Sequence, residues 1–160
     1  MSETDEEVKQ RPFMPLEGRK LIAVTALGAV IGLVVWELAL VLTKYVFNAW
    51  LCHDTSASCT NAPQYGEAVA SILGGIVALF FLVRLQIFRP LLVVIAVVAS
   101  LWGIVTKAEA LPWYGVGLSA ILLYMFAYIA FTWIARLKAF WLVLATMVVL
   151  VIAIRLLLNY

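Results

Sequence analysis

The feature that most limits this chain is a succession of long apolar runs with almost no charge inside them. A run of about 17 to 25 such residues, coiled at 1.5 Å per residue, crosses a hydrocarbon core of roughly 30 Å with its backbone hydrogen bonds satisfied internally. About five runs of this kind fit into the 160 residues. They are Leu21–Thr43, Glu67–Val83, Leu91–Thr106, Trp113–Ile134 and Ala139–Leu158. With 66% hydrophobic and 12% charged residues, the chain carries about half the charge of a soluble domain. The expectation is an all-α integral membrane protein, a bundle of about five transmembrane helices. Too little chain remains for a nucleotide-binding or extramembrane catalytic domain.

Basic residues set the expected orientation, because loops rich in Lys and Arg stay on the cytoplasmic side. Lys9, Arg11, Arg19, Lys20, Arg84, Arg89, Arg136 and Lys138 fall on one side of the runs, against Lys44, Lys107 and Arg155 on the other. This predicts a cytoplasmic N-terminus and an extracytoplasmic C-terminus. Tyr45, Trp50, Tyr65, Trp113, Tyr114 and Tyr160 gather on the predicted outer side, while Trp133 and Trp141 flank the inner loop, as interfacial aromatics do. Residues 1–17, with Glu3, Asp5, Glu6 and Glu7 at the start, read as a polar mobile tail rather than a signal peptide, and 18–160 as one transmembrane domain. The third run, about 16 residues, is short for a full span. A re-entrant third run would invert the last two and place Arg136 and Lys138 outside, against the charge rule.

The largest outer loop is expected at about 45–65 and holds both cysteines, Cys52 and Cys59. An extracytoplasmic compartment is oxidising, so a disulfide is the natural reading, and a bacterial inner membrane facing a periplasm satisfies it. The spacing is not the C-x-x-C of thiol oxidoreductases. His53 is the only histidine, and its neighbours match no common zinc pattern, so no metal site and no cofactor are expected. A serine triad assembled within this short loop would lack a scaffold, and no catalytic residue is assigned.

Small residues mark where helices pack closely. Gly28 and Gly32 form a G-x-x-x-G in the first run, and Ser71, Gly74, Gly75 and Ala78 form a similar stripe in the second. Either intrachain packing or a homodimer face accounts for them. Glu37 lies within the first run, where an ionisable group is costly unless paired, protonated or wet. At 100° per residue it points about 180° from Gly28 and 140° from Gly32, so the first helix is expected to be contacted on two sides. Arg155 in the fifth run has a matching depth, about 25 Å from the inner edge. Separate snorkelling to the interface, a Glu37–Arg155 contact and a protonatable transport carboxylate all remain open. Tyr124 and Tyr128, one turn apart, are expected to face the bundle interior, where they form interhelix hydrogen bonds or line a ligand pocket.

Neither G-x-G-x-x-G nor G-x-x-x-x-G-K-[ST] occurs, and one histidine excludes H-E-x-x-H. The leading functional reading is an accessory, assembly or structural subunit, more a binding protein than an enzyme. Its expected partners are the lipid bilayer and another membrane protein or a second copy of itself, with no nucleic acid. A small-solute or ion transporter using Glu37 is the first alternative, and a membrane enzyme at the outer interface the second.

Overall fold

A computed structural model describes residues 18–51, 59–104, 112–137 and 139–159. The tail 1–17, Cys52, His53, Lys107, Lys138 and Tyr160 lie outside the described residues. Every regular element among the described residues is helical. Helix α1 spans Gly18–Val41 and continues without a break through a π-helical segment, Leu42–Phe47, into a last α-helical turn, Asn48–Leu51. Helix α2 covers Ala62–Arg84, α3 Pro90–Leu101, α4 Trp113–Ala135 and α5 Phe140–Asn159. Three helical stretches are long and apolar enough to cross a membrane: Gly18–Trp50, Ala62–Arg84 and Trp113–Ala135. The bundle exterior is apolar as well, with Ile22 70%, Ile76 60%, Phe126 61% and Val149 66% exposed. Continuous outward apolar surface of this kind needs a nonaqueous neighbour.

The residues that stop each helix explain its length. Pro63 and Pro90 sit in the first turns of α2 and α3, where a missing N–H breaks no helical bond. Between them the chain reverses through Gln86 and Arg89, both left-handed at φ 53 and 54°. The Arg89 guanidinium then stacks 5.0 Å from the ring centroids of Phe88 and Phe140, tying this turn to the start of α5. Helix α3 is shorter than the expected 91–106. It stops at Leu101 because Trp102 turns to ψ 127° and Gly103 takes φ 87°, a left-handed conformation that favours glycine. Its 12 residues reach only about 18 Å.

Close approaches fix the packing. A Cβ at Gly28 would lie 2.9 Å from Met125 Cα, and one at Gly32 would lie 2.9 Å from the Ala120 carbonyl and Ile121 Cα. Further along, Trp36 covers Gly117. As α1 advances its contacts on α4 recede, so the two helices are antiparallel. The G-x-x-x-G therefore serves the α1–α4 seam inside one chain. On α2, Gly74 faces Val35 and Ile31, while Gly66 meets Thr43 and Ala39, so α2 is also antiparallel to α1. Gly75 instead faces Val94 and Val98 of α3. The small-residue stripe of α2 is split between two neighbours, with Ser71, Gly74, Gly75 and Ala78 all buried.

Two further expectations need correcting. The stretch read as a loop over 45–65 is helical up to Leu51 and again from Cys59 onward, first as a 3-10 turn and then as α2. The first helix is not gripped on its acidic side. Ile31, Gly32, Val35 and Ala39 form one broad buried face, and Glu37 is exposed on the opposite side.

Candidate functional site

Polar side chains inside an apolar bundle are the natural place to look for chemistry, because each needs a partner in a medium without water. Five of them are spread along α2 and α4, and one contact joins the two sets. Helices α2 and α4 both run antiparallel to α1, hence parallel to each other, and the Tyr124 hydroxyl lies 3.4 Å from Ser71 Oγ. That contact sets the order along the bundle: Glu67 toward the Lys44 end, then Ser71 with Tyr124, then Tyr128, then Thr132. All five are buried, Glu67 at 2% exposure and Tyr128 at 0%. Tyr128 Oη and Thr132 Oγ1 are enclosed with no hydrogen-bond partner among the described residues.

Glu67 is the residue that sequence reading missed. In the sequence it opens the second apolar run and so reads as the edge of that span. The helix in fact begins at Ala62, and Gly66, lacking a Cβ, brings this first turn against Thr43 and Ala39, so the carboxyl group lies in the interior. A signal was present: Glu67 continues the stripe of Ser71, Gly74 and Ala78 at spacings of four, three and four.

No family model, no curated protein and no solved structure matches the chain. Its residues therefore carry the functional argument. Arg155, expected at the depth of Glu37, turns to a different task. Its Nε donates to the Ala99 carbonyl at 3.0 Å. Ala99 is in the last turn of α3, where carbonyls have lost their helical partners and the helix dipole favours a cation. Arg155 thus caps the helix that stops short, and the contact places α5 in the same sense as α3. Glu37 stays on the far side of α1, and the two charges are not brought together.

The separation makes a quantitative prediction. Arg155→Leu should lower stability by about 1.5 to 3 kcal/mol, the range for a hydrogen bond to a charged group. Glu37→Gln, which removes no contact within the bundle, should stay within about 0.5 kcal/mol. Thermal unfolding of the two single variants and the double variant in detergent measures the coupling. It should be near zero, and a coupling above about 1 kcal/mol would mean that the two side chains meet.

Proposed function

We propose that the chain is a membrane-embedded accessory subunit that docks on another membrane protein through the outward face of α1. One observation carries the reading. Glu37 stands on that face among Val30, Leu33, Val34 and Leu40, all exposed, while the opposite face is spent on packing against α2 and α4. It lies seven residues, about 10 Å, from Lys44 along the helix. A carboxylate at that depth facing acyl chains is unfavourable, and a Lys or Arg on a neighbouring helix relieves it. A second copy fits less well, since a two-fold interface at this face would set Glu37 against Glu37.

The rest of the placement belongs to the same proposal. Lysine and arginine distribution favours a cytoplasmic N-terminus, with the Lys44 end of the bundle on the extracytoplasmic side of a bacterial inner membrane. An oxidising compartment there favours a Cys52–Cys59 disulfide. A transport reading keeps one specific support, the buried carboxylate of Glu67.

Native mass measurement after mild extraction tests the docking role. Wild-type protein should carry a partner beyond the 17.7 kDa of one chain. Glu37→Lys should release that partner without lowering Tm, and Glu37→Gln should weaken it. Extraction as a bare protomer, or a partner indifferent to Glu37→Lys, would refute docking. A pH-driven flux in proteoliposomes, abolished by Glu67→Gln, would favour transport instead.

A further inference from the structure

At the Lys44 end of the bundle, α1 from Trp36 through its π-helical segment and the first turns of α2 and α4 line a half-open cavity of about 540 Å3. That volume is within the range of about 300 to 1,000 Å3 found for small-molecule sites. The walls are mainly apolar, with Trp36, Leu40, Trp113 and Val116 along them, while Lys44 and Asn48 supply polar groups. Lys44 is the only charged residue of the lining among the described residues, and its Nζ lies 5.5 Å from the Tyr45 ring centroid. Neither Glu37 nor Glu67 belongs to the lining.

The backbone is unusual at the same place. The Asn48 N–H bonds the Thr43 carbonyl, five residues back, so the turn is wider than in an α-helix. Thr43, Lys44 and Tyr45 all come from this widened segment and all line the cavity. π-Helical turns are rare and concentrate at functional sites. Gly66 explains how the segment is accommodated on its other side, since it packs directly on Thr43.

We propose that this cavity binds an amphiphile with an anionic phosphate head, the head at Lys44 and Asn48 and the apolar tail along Trp36, Leu40 and Val116. A single cation at one end of an apolar trough matches that chemistry, and aromatic side chains at the mouth are suited to the membrane interface. The inference is independent of docking at Glu37. Two sources share the head-group chemistry, an anionic glycerophospholipid and a lipid-linked phosphate.

The test uses the full chain with Trp50, Trp102, Trp133 and Trp141 replaced by Phe, so that only Trp36 and Trp113 report, in phosphatidylcholine vesicles, and reads their quenching by lipids brominated in the acyl chain. Brominated phosphatidylglycerol should reach half-quenching at a mole fraction roughly fivefold lower than brominated phosphatidylcholine. Lys44→Gln should abolish the preference, Val116→Phe should fill the trough and weaken quenching by both lipids, and Trp36→Phe with Trp113→Phe should remove the responsive signal. Displacement of phosphatidylglycerol by a small fraction of polyprenyl phosphate would assign the lipid-linked source, and lack of displacement the phospholipid. Equal quenching by the two brominated lipids, or a preference that survives Lys44→Gln in a protein with unchanged helical content, would overturn the proposal.

Discussion

Gly32→Val is expected to be the most damaging single substitution in the chain, with a loss of about 3 kcal/mol or more in thermal unfolding from detergent. The reason is that the obstruction is backbone. Even one Cβ would sit 2.9 Å from the Ala120 carbonyl and Ile121 Cα and 3.0 Å from Tyr124 Cβ, and two helix backbones cannot give way as a flexible side chain would. Relief requires α1 and α4 to move apart, which also opens the contact of Gly28 with Met125 and of Trp36 with Gly117. Gly32→Ala should already cost about 1 to 3 kcal/mol. Gly18 is the control, because a Cβ there meets nothing within 4 Å, and Gly18→Ala should be close to neutral. Equal effects at the two positions would mean that the α1–α4 seam is not packed as described.

Tyr128→Ala ranks second, with a loss of about 3 to 5 kcal/mol, the range for emptying a buried aromatic site. The side chain is wholly buried, with its Cβ against Gly28 of α1. Tyr128→Phe should behave very differently. The hydroxyl has no hydrogen-bond partner among the described residues, so its removal discards a desolvated polar group and should change stability by less than about 1 kcal/mol, in the stabilising direction. Paired unfolding measurements on the two variants separate ring packing from hydroxyl chemistry. A Tyr128→Phe loss comparable to that of Tyr128→Ala would show that the hydroxyl is bonded after all.

Much of the architecture was legible because hydropathy and small-residue spacing are properties of continuous runs. The apolar stretches mark where α1, α2, α4 and α5 lie, and the four-residue spacing of Gly28 and Gly32 marks a face where backbones meet. Hydropathy reads a charged or polar residue as a boundary, however, and that is where it failed. Pro63, Gln64 and Tyr65 made the start of α2 look like loop, although all three are compatible with a first helical turn. The buried position of Glu67 depended on Gly66 meeting Thr43, a contact between segments more than twenty residues apart in sequence. The end of α3 was obscured for the opposite reason: Ile104 and Val105 extend the apolar run past the point where Gly103 turns the chain. Glu37 and Arg155 matched in depth but not in azimuth. Depth follows from counting residues, whereas azimuth depends on which helices are neighbours.

With its glycine face spent within the bundle, α1 leaves its Glu37 face for the proposed partner protein. A photoreactive residue placed at Leu33, one turn from Glu37 and 46% exposed, tests this most directly in intact membranes, with Val35, 1% exposed, as the inward control. One discrete adduct with a different polypeptide is expected from position 33. That adduct should be absent from position 35 and lost when Glu37→Lys is added. An adduct of the chain with itself, labelling of lipid alone, or a partner adduct that persists with Glu37→Lys would contradict docking at this face.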